Sequence, residues 1–193
     1  MEALVTTPLP TEHGSFDISA YPSGVEEQPH LVLKSPVKAG AIPLVRVHSE
    51  CWTGDVVGSL KCDCGPQLNH ALEKVAQEGG AVIYLRQEGR GIGLVEKLKA
   101  YNLQEQGLDT FEANQKLGHQ RDARSFSIAG EICKSLGWDQ IRLMTNNPEK
   151  VSDLREAGVK VVDVLPLVIA PNPYNERYLQ SKAKEVKAEG KGA

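Results

Sequence analysis

Three cysteines, Cys51, Cys62 and Cys64, stand close together at the spacing C-x10-C-x-C. Thiolates suit Zn²⁺, which prefers tetrahedral sulfur and nitrogen ligands. Gly65 and Pro66 behind the close pair suit a tight turn that clasps a metal. The ligand count bears on the chemistry. A structural zinc site is usually closed by four protein ligands, whereas a catalytic one has three plus a water made acidic by the metal. Cys133 and His48 are candidates for a fourth ligand. Cys133 sits at helical spacing from Ala129, Ile132 and Leu136, which reads as a core thiol. A closed Cys₃His site with His48 stays open on spacing alone. Glu50, Asp55 and Asp63 among the thiols favour a polar cleft over a buried clamp. The expectation is one zinc that activates water.

A second stretch, Arg86-Gln87-Glu88-Gly89-Arg90-Gly91-Ile92-Gly93, follows an apolar run and opens a helical one. Such a junction offers backbone N–H groups and the positive end of a helix dipole to an anion. It is not the dinucleotide fingerprint, since Leu94 stands where a third glycine is needed, and there is no P-loop G-x-x-x-x-G-K-[ST]. Arg86 and Arg90 favour a phosphate over a bare turn. Lys150, just after Thr145-Asn146-Asn147-Pro148, is a further basic residue at a helix start. The plainer reading of that lysine is a solvated charge. Asp122 and Arg124, two apart, read as the start of a helix, where an aspartate ordinarily caps or meets the dipole.

Elements must position these groups. Residues 1–40 are rich in Pro, Gly and Ser, with short apolar stretches at Phe16–Ile18 and Leu31–Leu33, and read as short strands and turns. Ile42–Val47, Ala81–Leu85, Ile141–Thr145 and Val159–Val164 read as strands. Gln67–Glu78 is an amphipathic helix ended by Gly79-Gly80. Gly91–Gln106 is helical with Ile92, Val95, Leu98 and Tyr101 on one side. A third helix is expected over Asp122–Leu136, and a short one from the Asn147 cap and Pro148 to Ala157. The tail at 175–187 is polar and expected to be helical. Strands alternating with helices predict an α/β layered fold, a mixed β-sheet flanked by helices with a strand-rich N-terminal part. A single domain is expected over 1–193, with a polar tail at about 176–193.

At 40 % hydrophobic residues the chain can bury a core without cysteine staples. A formal net charge of −3 argues against a general nucleic-acid binder. The first residues lack the basic start and apolar run of a secretory signal, and no apolar stretch is long enough to span a bilayer. A cytoplasmic protein with reduced thiols, away from any membrane, is expected.

Four blocks, Arg46-Val47-His48-Ser49-Glu50-Cys51, Lys61-Cys62-Asp63-Cys64-Gly65, Arg86 to Leu94, and Thr145-Asn146-Asn147-Pro148, resemble GTP cyclohydrolase II in the same order, from about Pro43 to Tyr178. The resemblance implies the first step of riboflavin biosynthesis. GTP loses C8 as formate and its outer phosphates as pyrophosphate, giving 2,5-diamino-6-ribosylamino-4(3H)-pyrimidinone 5′-phosphate. It implies zinc ligands at Cys51, Cys62 and Cys64. It implies GTP contacts at Arg46, Val47, His48, Ser49, Glu50, Gln67, Glu88, Gly89, Arg90, Thr110, Thr145 and Lys150. It assigns Asp122 as proton acceptor, Arg124 as nucleophile toward the α-phosphate, and Tyr101 to completing ring opening. It also implies Mg²⁺ on the triphosphate and a homodimer. A guanidinium is almost always protonated, so the physical reading of Arg124 is electrostatic stabilisation. The chain departs from the family pattern in His119-Gln120-Arg121 before Asp122 and in Ser125 after Arg124.

Two other classes are weighed against this. A zinc nucleobase deaminase needs P-C-x-x-C after its H-x-E, and Cys62-x-Cys64 fails that pattern. A zinc-stabilised binding module predicts four protein ligands and no water position.

Overall fold

The apolar runs of the sequence assemble into a seven-stranded mixed sheet. The structure is a computed structural model that describes residues 1–120, 122–176, 178 and 179, with the backbone alone at Thr110 and Phe111. Arg121 and most of the tail expected to be helical lie outside the described residues. The strands are β1 (Val5–Thr11), β2 (Gly14–Tyr21), β3 (His30–Ser35), β4 (Leu44–Ser49), β5 (Gly80–Leu85), β6 (Gln140–Met144) and β7 (Lys160–Leu165). Their order across the sheet is β1-β2-β3-β5-β4-β6-β7. β1, β2, β3 and β5 pair antiparallel, and β4, β6 and β7 pair parallel. The mixed sheet and the strand-rich N-terminal part expected from the sequence are both present.

The chain divides into two compact units. The first comprises Met1–His48, Gln67–Arg86 and Ser125–Val168, and holds the sheet. Its helices are most of α2 (Cys64–Glu78), α5 (Ser127–Ser135) and α6 (Pro148–Glu156). Alternating side chains feed two cores. Val45, Val47, Ala81, Ile83, Leu85, Ile141 and Leu143 cluster with Ala129, Ile132, Cys133 and Leu154 of α5 and α6. Leu44, Val82 and Met144 cluster with Ala71 and Val75 of α2. Helices covering both faces are why β4 and β5 are almost continuously buried rather than alternating. Gly80 is required here, since a Cβ on it would lie 1.8 Å from the Leu44 carbonyl oxygen. α6 is capped as the sequence indicates, the Asn147 side chain accepting from the Glu149 amide with Pro148 in the first turn.

The second unit comprises Ser49–Pro66, Gln87–Arg124 and Ile169–Ala193. It carries α1 (Trp52–Asp55), the first turn of α2, a 3₁₀ turn at Glu88–Gly91, α3 (Leu94–Glu105) and α4 (Thr110–Lys116). Three expectations are corrected. Cys64-Gly65-Pro66 opens α2 rather than forming a separate turn, since Pro fits a helix's first turn, where no N–H partner is needed. The third helix begins at Ser127, five residues later than expected. Asp122 spends its carboxylate on the backbone N–H and guanidinium of Arg124, and the Phe126 N–H is taken by Asp153 Oδ2 at 2.9 Å, so nothing caps an earlier start. On α3 the expected apolar face is turned out, with Val95 and Leu98 exposed. Only Ala100 of that helix is fully buried. The short helix α4 was not expected, although Asp109 and Glu112 form a reciprocal capping box, each carboxylate accepting from the other's N–H.

Candidate metal centre

The three clustered cysteines all belong to the second unit. Cys51 precedes α1, Cys62 ends the loop that follows, and Cys64 is the first residue of α2. Their three sulfurs lie within 4.8 Å of one another, and among the described residues no other His, Cys, Asp or Glu joins the group. Cys51 Sγ and Cys62 Sγ are 3.7 Å apart. Two glycines let the thiols meet. A Cβ on Gly54 would stand 2.8 Å from Cys62 Sγ and 3.2 Å from Cys51 Sγ. One on Gly65 would stand 2.4 Å from the Gly54 carbonyl oxygen. Asp55 Oδ2 accepts from the Cys51 N–H at 2.9 Å and so closes the loop around the first cysteine. The cluster can hold a metal ion. Hydrogen bonds from Cys62 and Cys64, with the Lys97 cation beside it, drive the Cys51 thiol far below its ordinary value. Donation to that thiolate pushes Cys62 up to about 11 and raises Cys64 as well.

Cys133 lies in the core of the first unit, as its helical spacing indicates, with burial pushing its thiol up to about 12. It is not a ligand of this cluster.

Two residues of α3 reach the centre. Lys97 Nζ donates to Cys51 Sγ at 3.1 Å and to Glu88 Oε1 at 2.9 Å. Glu88 also accepts from the Trp52 N–H at 2.6 Å and the Gly89 N–H at 2.7 Å. One turn later, Tyr101 brings its hydroxyl to 3.4 Å from Thr53 Oγ1, which lies 3.7 Å from Cys51 Sγ. Burial, only partly offset by the Thr53 bond, pushes the phenol up to about 12, so Tyr101 is a neutral donor at physiological pH. Lys97, Thr53 and Gly54 were not singled out from sequence. Lys97 carried one signal, its i,i+4 relation to Tyr101 on a single helix face.

The remaining expected residues of this unit have defined places. Asp122 and Arg124 form a two-pronged ion pair, with Arg124 Nε 2.9 Å from Oδ1 and Nη2 against Oδ2. Burial alone would raise the Asp122 carboxyl, but the Arg124 bonds outweigh it and hold it below its ordinary value. Arg124 Nη1 also donates to Ser49 Oγ at 3.4 Å. Gly89 and Arg90 both have φ of 62°. That left-handed conformation costs a residue with a Cβ about 1–2 kcal/mol. The Arg90 carbonyl accepts from the Ala123 N–H at 3.1 Å, joining the turn to the Asp122 segment. Glu50 is half-buried, and Thr110 opens α4 with its side chain outside the described residues. His119 meets Glu96 at 3.1 Å.

In the first unit, Arg46 is buried and donates to the Met144 carbonyl at 3.1 Å and to Gln67 Oε1 at 2.6 Å. Lys150, read most simply as solvated, is instead 5 % exposed, donating to the Val47 carbonyl at 2.8 Å above the Phe126 ring. His48 stacks on Tyr84 with ring centroids 5.5 Å apart. Thr145 Oγ1 accepts from the Asn147 N–H at 3.0 Å and shapes the turn before α6.

A three-thiol cluster that can hold a metal ion, with a lysine and a phenol beside it, sets the chain apart from a dinucleotide-binding dehydrogenase or a P-loop protein. The family model described as GTP cyclohydrolase II matches residues 2–166, and the chain belongs to that family. It is 50 % identical over 184 residues to the riboflavin biosynthesis protein RibBA of Phocaeicola vulgatus, covering 94 % of this chain and 46 % of that protein. It is 48 % identical over 180 residues to the protein of the same name from Bacillus mycoides, covering 92 % and 45 %. The chain thus spans about half the length of the curated relatives it matches. A solved structure, RibBX, a two domain 3,4-dihydroxy-2-butanone 4-phosphate synthase from A. baumannii, shows a weak likeness, with a TM-score of 0.45 and 20 % identity over 88 % of this chain and 40 % of that one.

Proposed function

We propose that this chain is a zinc-dependent hydrolase that converts GTP to the diaminopyrimidine nucleotide, formate and pyrophosphate, opening riboflavin biosynthesis. The observation that carries the reading is the convergence of the Cys51, Cys62 and Cys64 sulfurs within 4.8 Å, in a chain of this family. Tetrahedral zinc with bonds of about 2.3 Å sets neighbouring sulfurs about 3.8 Å apart. The 3.7 Å between Cys51 and Cys62 fits that geometry. Three protein ligands suit a catalytic site, which keeps one position for water. When bound, zinc supplies a Lewis acid that makes water a nucleophile near neutral pH, here toward C8 of the guanine.

The chain's own groups do the rest. In this reading Tyr101, held protonated and tied to Thr53, orients the opening ring and gives up a proton at its hydroxyl. Arg124 keeps its charge in the pair with Asp122, which supports electrostatic stabilisation of the α-phosphate over nucleophilic attack. Asp122, held ionised by that pair, is the assigned proton acceptor. Ser49, Glu50, Glu88, Gly89, Arg90 and Thr110 of the second unit, and Arg46, Val47, His48, Gln67, Thr145 and Lys150 of the first, are the assigned GTP contacts, with Mg²⁺ on the phosphates. Residues 1–193 are taken as a single domain of this family, in a cytoplasmic homodimer that binds neither nucleic acid nor membrane. Among the described residues no helix is long and apolar enough to cross a membrane.

The test is incubation with GTP and Mg²⁺, with and without a chelator, followed by assay of formate and pyrophosphate. Both products are expected without chelator, and formate is expected to vanish in Cys64→Ser. Absence of both products at full zinc occupancy defeats the proposal and leaves a zinc-stabilised binding module.

A further inference from the structure

Lys97 has no part in the roles assigned above, yet its ammonium is held directly against the second unit's thiol cluster. It is held between an acid and a thiol, 2.9 Å from Glu88 Oε1 and 3.1 Å from Cys51 Sγ, with the side chain 12 % exposed. Glu88 cannot follow the lysine outward, because its carboxylate is fixed by the Trp52 and Gly89 N–H groups. One of those anchors, Trp52, is the residue next to Cys51. Burying a lysine costs rotamer freedom and hydration, and a single salt bridge seldom repays both. The second contact, to a sulfur, gives the cation its reason to be there.

Three thiolates around a dication leave one net negative charge in a mostly buried place, and such a charge calls for a compensating cation. A charged N–H donated to a ligand sulfur draws electron density from it, so the sulfur gives less to the metal and the metal stays more acidic. We propose that Lys97 is a positioning residue that limits the electron donation of Cys51 to the bound metal, with Glu88 fixing it in place. The proposal rests on the metal-centred reading above and would replace a view of Lys97 as a plain structural ion pair with Glu88.

The two views part at the sulfur. In the zinc-loaded protein, iodoacetamide alkylation mapped by mass spectrometry reads the nucleophilicity of each ligand sulfur. Lys97→Met keeps the stem and removes the charge, and Cys51 should then alkylate about tenfold faster, the scale of one charged hydrogen bond. Cys62 should be unchanged, and Lys97→Arg should restore the slow rate. Lys97→Gln serves as a second neutral variant if the methionine protein folds poorly. In the cobalt-substituted protein the sulfur-to-cobalt charge-transfer band should move to lower energy in the neutral variants and stay put in Lys97→Arg. An unchanged Cys51 rate and band energy in a fully metal-loaded neutral variant would overturn the proposal. Failure of the underlying reading is seen separately, in wild-type protein that binds no zinc or releases no formate.

Discussion

Gly54 offers a sharp test of the metal centre because its substitution acts on the sulfurs and on little else. Its φ is not in the left-handed region, so alanine suits the backbone, and alanine is ordinarily the better helix former. The added Cβ would nevertheless lie 2.8 Å from Cys62 Sγ, 3.0 Å from Cys64 Cβ and 3.2 Å from Cys51 Sγ. The first distance is roughly 0.6 Å short of ordinary contact. Without metal the two sulfurs can rotate away from the methyl group, leaving a shift of a few tenths of an ångström at Cys64 Cβ, so the metal-free protein should melt within a few degrees of wild type. With metal they cannot, because zinc–sulfur distances tolerate shifts of only about 0.2 Å. Gly54→Ala should therefore bind zinc about 10–100-fold more weakly, the usual scale for a disturbed support of a metal ligand. Competition against a chromophoric zinc chelator measures the affinity, and thermal melts with and without chelator separate metal loss from misfolding. A Gly54→Ala protein that holds one zinc with wild-type affinity would refute the placement of the three sulfurs around that glycine.

Further outcomes follow from the same geometry. Tyr101→Phe removes the donor beside Thr53 and should slow formate release about 100-fold, the low end for a positioned proton donor, with zinc content by atomic absorption unchanged; zinc loss would make the phenol a structural support instead. His30 is buried and accepts the Arg86 N–H at Nδ1, 3.1 Å away. Burial first, and then the Arg86 cation, hold its pKa below the ordinary value, so the folded chain prefers the neutral ring. That contribution to stability is complete above about pH 6.5, the unfolded value, and is lost as pH falls toward the folded one. Urea melts of wild type should therefore weaken below pH 6.5 more steeply than those of His30→Gln, and parallel slopes would contradict the neutral assignment. Ile132→Ala empties a fully buried site in the core that holds Ile141 and Leu143 and should cost about 2–5 kcal/mol in urea melts without changing zinc affinity; a loss below 1 kcal/mol would mean that α5 is not packed as described.

What the sequence made legible follows a physical line. The centre of the sheet could be read because helices cover both faces of β5, and that leaves an unmistakable apolar run at Ala81–Leu85. The thiol cluster could be read because three cysteines within fourteen residues supply the ligand type that Zn²⁺ prefers. The misreadings lie where polarity and burial part company. On α3 the usual rule sends apolar side chains inward, but Val95 and Leu98 are exposed while Lys97 turns to the Cys51 sulfur and Tyr101 to Thr53 beside it. A helix that serves a reactive centre packs against charge, and its period then runs opposite to that of a core helix. The start of α5 was misplaced for a related reason: Asp122 looks like a cap, and no pattern in its own segment says that Arg124 claims it first. Gly54 was invisible for a third reason. Its function is the volume it leaves empty, which depends on where Cys62 and Cys64 return in space, and chain spacing carries no record of that return. The groups that could be read from sequence are therefore the three thiols that can hold a metal ion, and their neighbours Lys97, Thr53 and Gly54 needed coordinates. For a further chain with C-x10-C-x-C, the useful sequence question is whether a lysine stands one helical turn before a tyrosine after the glycine-rich turn, since that pair places a cation and a phenol on the same face toward the thiols.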